Sequence, residues 1–248
     1  MNLLLVEEDE LNDGRVRLAD HRAEHLLRVL GVEPGRTIRA AVIGHEPGEA
    51  RVLETGDGVV ELAMAAGAAL SRPDLSLVVA LPRPQALKRV LQYSATMGVG
   101  RIDLIRSWRV EKSYFHTPVL KPAELRRQLK LGAEQGASAW LPEVAVFPRF
   151  NAFLEDWRQR ADADSAGTGA ALLADPAAGQ PLTQGNVGRG PLTLALGPEG
   201  GWIDRELESL GEAGFSQVVL GPWILRVETA LVAALAQIEL VRQNVDAC

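Results

Sequence analysis

From residue 75 onwards the apolar positions follow two alternating rhythms. Short apolar-rich runs at residues 75–81 (LSLVVAL), 101–106 (RIDLIR), 144–147, 170–174, 192–196 (LTLAL) and 217–220 are separated by longer stretches with apolar residues every third or fourth position. Runs of that length between turn signals predict buried strands, and the longer period predicts helices with one apolar face. In residues 85–97, Leu87, Val90, Leu91 and Ala95 share one face, Lys88, Arg89 and Gln92 the other, and Gly98 closes the helix. Further helices are expected at 122–135, 150–160, 205–213 and 228–243, with Asp204 as N-cap and Gly214 as stop of the one at 205–213. Strands alternating with helices indicate an α/β domain built on a parallel sheet.

Residues 1–70 have a different texture. Asp20 is a candidate N-cap for a helix at 21–30, with Leu26, Leu27 and Leu30 on one side and Gly31 as its stop. Short segments at 36–43, 49–54 and 58–64 follow, separated by glycine-containing turns, a spacing that suits a small β-barrel or meander. Residues 65–74 carry no periodicity and read as a linker, so the expected domains are 1–70 and 75–248. Residues 161–169 read as an exposed loop, and 177–190 as a loose connection.

Two of the apolar runs end alike. Residues 192–196 break into Gly197-Pro198-Glu199-Gly200-Gly201, and residues 217–220 into Gly221-Pro222, each turn leading towards a helix. In a parallel sheet the loops at the carboxyl ends of the strands gather in one crevice, so both turns are expected to face the same small molecule. Glycine lets backbone amides approach that molecule with no Cβ in the way. The loop is neither a P-loop, for no Gly-Lys-Ser/Thr follows, nor a Rossmann turn, for Gly-x-Gly-x-x-Gly is missing. The last helix is apolar on most of its surface, with Ala230, Leu231, Ala234, Leu235, Ile238 and Val241, which predicts a subunit interface as well as a core contact. Arg226 and Glu228 stand at its start.

Charge adds a location. The formal net charge is −6, yet residues 76–132 hold eleven Lys/Arg against three Asp/Glu. One basic zone on an acidic chain fits either a localised anionic partner or a set of solvated helix faces. Within it the loop at 107–122 mixes Trp108, Arg109, Lys112, Tyr114, Phe115 and His116. Such a loop either stacks bases and pairs phosphates or folds its aromatics back on the sheet. Arg83, Lys88, Arg109 and Lys112 are the candidate RNA contacts. The single cysteine, Cys248, excludes an internal disulfide and a cysteine zinc cluster, and four scattered histidines, with His21 and His25 at i, i+4 but no third ligand near, give no reason to expect a metal. No run approaches the eighteen or so apolar residues of a membrane helix and the acidic N-terminal stretch lacks a cleavable apolar segment, so a cytoplasmic protein without membrane contact is expected.

Leu196-Gly197-Pro198-Glu199-Gly200-Gly201, then Leu220-Gly221-Pro222, then Ile224-Leu225-Arg226-x-Glu228-Thr229-Ala230, resembles the SPOUT methyltransferases. The resemblance is greatest to the RsmE type, which methylates N3 of a uridine in 16S ribosomal RNA with S-adenosylmethionine. It extends to His25-Leu26-x-x-Val29-Leu30, Gly98-Val99 and Glu134-Gln135, and so covers nearly the whole chain. It implies a PUA-like N-terminal barrel, a SPOUT domain with a C-terminal trefoil knot, and a homodimer acting on 16S ribosomal RNA or the small subunit. By the same resemblance the cofactor lies against Leu196, Gly197, Pro198, Glu199, Gly200 and Gly201 on one side, and Leu220, Gly221, Pro222, Ile224 and Leu225 on the other. Leu173, Ala174 and Thr229 complete that set. Trp223 and Val227 stand where the family commonly has Arg and Thr, Thr96 where a Glu is common, and Ser138-Ala139-Trp140 where Arg is frequent.

If the acceptor is a uracil N3, its proton must leave, because the neutral imide nitrogen is a poor nucleophile. Arg226 is the candidate for stabilising the uracil anion, and Glu228 for positioning Arg226 or taking up the proton. The alternatives are another RNA site of the same family, such as a 2′-hydroxyl of tRNA or rRNA, a non-catalytic RNA-binding or ribosome-assembly protein, and an α/β enzyme for a phosphorylated metabolite.

Overall fold

The chain divides its strands between two sheets in the computed structural model, which describes residues 2–163 and 169–246. The first comprises β1 (Leu4–Val6), β2 (Arg15–Leu18), β3 (Thr37–Val42), β4 (Gly48–Gly56) and β5 (Val59–Ala63), with α1 (His21–Arg28) between β2 and β3. Its order is β1-β3-β4-β5-β2, with β1 parallel to β3 and the other pairs antiparallel, giving a curled mixed sheet, a half-barrel. The Asp57-Gly58 turn joins β4 to β5 with φ of 49° and 76°, the positive values a two-residue hairpin needs. Asp20 caps α1 by accepting a bond from the Arg22 amide at 2.9 Å.

Two strands, β1 and β2, are additions to what periodicity predicts. With three and four residues they are too short for alternation to stand out. β1 nevertheless joins both halves of the molecule. Leu4 and Val6 face the half-barrel core, whereas Leu3 and Leu5 belong to the core of the second sheet, the alternation of a strand sandwiched between two apolar layers. Asn2 and Leu3 donate backbone bonds to the Glu134 carbonyl at 3.0 and 3.2 Å, and Lys130 pairs with Glu7 at 3.2 Å. Residues 65–74 run along the half-barrel, where Leu70 donates to the Gly44 carbonyl at 2.8 Å.

The second sheet is wholly parallel. Its chain order is β6 (Leu75–Ala80), α2 (Pro84–Thr96), β7 (Arg101–Ile105), α3 (Pro122–Gly136), β8 (Glu143–Phe147), α4 (Phe150–Ala163), β9 (Ala170–Ala174), α5 (Gln184–Val187), β10 (Leu192–Leu196), α6 (Asp204–Glu212), β11 (Ser216–Val218) and α7 (Val227–Asp246). The spatial order is β11-β9-β10-β6-β7-β8. Proline occupies the first turn of both α2 and α3, where its missing N–H costs nothing. α2 packs against α3 and α7, while α4 lies against β7 and β8. Fully buried Phe153 of α4 meets Phe147 edge-on with centroids 5.7 Å apart, and Trp157 meets Phe215 at 4.8 Å.

Three local expectations are corrected. Asp204 is the first residue of α6, not its cap; Ile203 holds the cap position, and its amide donates to the Glu206 carboxylate at 3.1 Å. Glu206 is buried there and also receives the Trp108 amide at 2.7 Å and the Ser107 hydroxyl at 3.2 Å, so it fastens the loop after β7 to α6. α5 forms within the connection expected to be loose. α4 extends to Ala163, into the expected loop at 161–169, whose remainder lies largely outside the described residues, as does Cys248.

Candidate active site

The carboxyl ends of β9 and β10 and the segment after β11 meet at a cavity of about 380 Å³. Neighbouring strands pair in register, Leu196 of β10 opposite Ala174 of β9 and Ala174 opposite Val218 of β11, so the three strands release their loops at one level. The first wall is Leu196 through Trp202, the second Leu220, Gly221 and Trp223 through Leu225, and Ala174 through Ala177 form the floor; Val227 and Ala230 at the start of α7 close it. The crevice expected from the twin Gly-Pro turns is present.

Of the residues expected to bind a cofactor, Ala174, Leu196 through Gly201, Leu220, Gly221, Ile224 and Leu225 line this cavity. Leu173 is buried within β9, Pro222 lines a neighbouring depression that shares Gly221, Trp223 and Ile224 with the cavity, and Thr229 lines another beside α2. The cavity gains Trp202, whose indole is buried against Gly197: a Cβ built on Gly197 would stand 2.8 Å from its Nε1. It also gains Asp175 and Pro176, a pair legible in the sequence as the end of a strand. Gly201 and Gly221 adopt φ of 75° and 147°, in the range that favours glycine.

Arg226 and Glu228 line the depression beside α2, together with Arg89, Tyr93, Thr96 and Thr229. The Glu228 carboxylate pairs with Arg89 at 3.3 Å. The Glu199 carboxyl is held below the usual carboxylate range, chiefly by hydrogen bonding to Arg83, with the charge of Arg226 adding to the effect.

The basic loop divides its aromatics. Tyr114 and Phe115 fold back against the core, while Trp108 stands 81% exposed. Arg83 and Arg109, two of the candidate RNA contacts, turn instead towards the first cavity wall. Arg83 donates from Nε and Nη2 to the two Glu199 carboxylate oxygens at 2.6 Å each, and Arg109 donates to the Gly200 carbonyl. Lys112 lies in a single 3₁₀ turn at Lys112–His116, and Lys88 on α2.

A sequence model described as an RNA methyltransferase domain matches residues 70–239. The chain belongs to the RNA methyltransferase family. A family member from Treponema pallidum, the ribosomal RNA small subunit methyltransferase E, is 30% identical over 252 residues, covering 95% of this chain and 90% of its own. The protein of the same name from Synechocystis is 28% identical, covering 97% of this chain and 78% of its own. The crystal structure of the Neisseria gonorrhoeae ribosomal RNA small subunit methyltransferase E, bound to S-adenosyl methionine, superposes with a TM-score of 0.74 at 24% identity, covering 97% of this chain and 98% of that one. That likeness extends the fold of this RNA methyltransferase across both sheets. No helix of the described residues is long and apolar enough to cross a membrane.

Proposed function

We propose that this RNA methyltransferase transfers a methyl group from S-adenosylmethionine to N3 of a uridine in 16S ribosomal RNA of the small subunit. The observation that carries the cofactor part of the proposal is the convergence of the two Gly-Pro loops on one cavity at the carboxyl edge of a parallel sheet, and its RNA part follows the relatives named ribosomal RNA small subunit methyltransferase E. The residues present fit such a cofactor. The volume is that of a small-molecule site, the lining is largely apolar, and Gly197, Gly200 and Gly221 let the two loops pack closely on Trp202, Arg109 and Trp223 while still lining the cavity. Leu196, Gly197, Gly200, Leu220 and Leu225 would hold it. When bound, S-adenosylmethionine supplies an electrophilic methyl carbon on a positively charged sulfur.

The protein's part is positioning and charge. When the uracil N3–H bond breaks, negative charge spreads over N3 and the carbonyl oxygens flanking it, and it is discharged as the N3–methyl bond forms and the methyl–sulfur bond breaks. Arg226 stabilises that charge, and Glu228, oriented by Arg89, receives the proton. The exposed apolar residues Val232 and Leu240 of α7, with Tyr93 of α2, support a homodimer through this face. The setting is the cytoplasm, where ribosomal RNA is assembled into subunits.

The test supplies small subunits lacking the modification and S-adenosylmethionine with a labelled methyl, followed by digestion of the RNA to nucleosides. Label in N3-methyluridine is expected; label in another nucleoside refutes the assignment. Arg226→Ala is expected to lower turnover by about 10²–10³-fold, the usual effect of removing a group that stabilises developing negative charge, while cofactor binding persists.

A further inference from the structure

The first cavity wall is gripped from outside by two arginines of neighbouring strand–helix units. Arg83, in the N-cap position of α2 after β6, makes a two-pronged pair with Glu199 at 2.6 Å per prong. Arg109, after β7, lays its aliphatic chain over Gly200, where a Cβ would stand 3.1 Å from Arg109 Cδ, and its guanidinium binds the Gly200 carbonyl. The grip falls on adjacent residues of a loop that also packs on Trp202 at Gly197 and is closed on itself by the Gly201 amide donating to the Pro198 carbonyl at 2.8 Å. A planar guanidinium engaging both carboxylate oxygens fixes orientation as well as distance, which a lysine in the same place would not.

We infer that Arg83 and Arg109 are positioning residues that clamp the cofactor loop in its binding shape, rather than phosphate contacts of the RNA. The inference rests on the reading that the cavity takes S-adenosylmethionine. Its physical content is pre-organisation: a loop already held in shape loses less freedom when a ligand arrives. Both arginines come from the basic zone, so the rival assignment, direct contact with RNA phosphates, is a real competitor. The two assignments differ in which ligand feels the loss of Arg83.

The experiment combines hydrogen exchange of the loop amides without ligand, calorimetric titration with S-adenosylmethionine, and RNA binding at fixed salt, for the unsubstituted protein, Arg83→Gln, Glu199→Gln, the double variant and the charge swap Arg83→Glu/Glu199→Arg. Arg83→Gln is expected to speed exchange at residues 199–203 and to weaken cofactor binding by up to about fivefold, the range of an exposed ion pair. The double variant should bind no worse than the weaker single one, the charge swap should recover most of the loss, and RNA affinity should not change. Arg109→Gln should speed exchange in the same loop. Unchanged exchange and cofactor affinity in Arg83→Gln, with RNA binding weakened, overturns the clamp and favours the phosphate assignment. No binding of S-adenosylmethionine by the unsubstituted protein overturns the cofactor reading and the clamp together.

Discussion

Gly197→Ala tests how tightly the loop at 197–201 is packed. The added Cβ would lie 2.8 Å from Trp202 Nε1 and 3.1 Å from both Cδ1 and Cε2, whereas ordinary contact begins at 3.4 Å. Loop and indole must therefore part by about 0.6 Å, and the indole is 8% exposed, with little room to retreat. Forcing one methyl into a packed site costs about 1–3 kcal/mol. That energy has two places to appear. If the loop keeps its shape, the free protein carries the strain and the urea midpoint falls. If the loop relaxes away from Trp202 and must return to bind, the strain appears as a cofactor affinity about 5- to 150-fold weaker, since 1.4 kcal/mol is tenfold. Urea denaturation and calorimetric titration of the same preparation measure both shares, and their sum is the expected quantity. Unchanged stability together with unchanged affinity would falsify the packing argument, because it would mean that Trp202 does not confine the loop.

Other expectations concern the scaffold. Phe153→Ala, which empties a fully buried site between Phe147 and Trp157, should cost about 3–5 kcal/mol in urea denaturation. Glu10 is held below the usual carboxylate range by hydrogen bonding to buried Arg22; for Asp20 burial pulls upward, but the bonds from Arg22 outweigh it. Both carboxyls are depressed on folding, so their contribution is present above about pH 4, the ordinary carboxylate value, and lost as pH falls through their folded values. Arg22→Gln should flatten that acid limb in a pH series of melts. Glu134 has the opposite sign: burial raises its carboxyl, against the opposing charge of Lys130, so its contribution is lost as pH rises through the raised value. Glu134→Gln should therefore unfold at higher urea than the unsubstituted protein at neutral pH, and equal midpoints there would refute this.

The sequence by itself determined the local grammar. The strands at 170–174 and 192–196 occur at their expected bounds, because an apolar run between turn residues has one good solution in a parallel sheet. The twin Gly-Pro turns were legible as a shared crevice for a related reason: in such a sheet loops at the same end of the strands must meet. Only the tertiary structure decided the rest. The order β11-β9-β10-β6-β7-β8 depends on pairings between distant segments, which no local period encodes. β1 carries no signal of its own, because three residues show no alternation until two different cores lie on either side of them. The direction of a long side chain is likewise a tertiary fact. Arg83 and Arg109 stand in a basic stretch that suits RNA, yet each finds an acceptor on the loop at 197–201, Glu199 and the Gly200 carbonyl, over a hundred positions away for Arg83 and ninety-one for Arg109. A guanidinium on a flexible stem takes the best acceptor within reach, and reach is set by the folded sheet rather than by the neighbours in the chain.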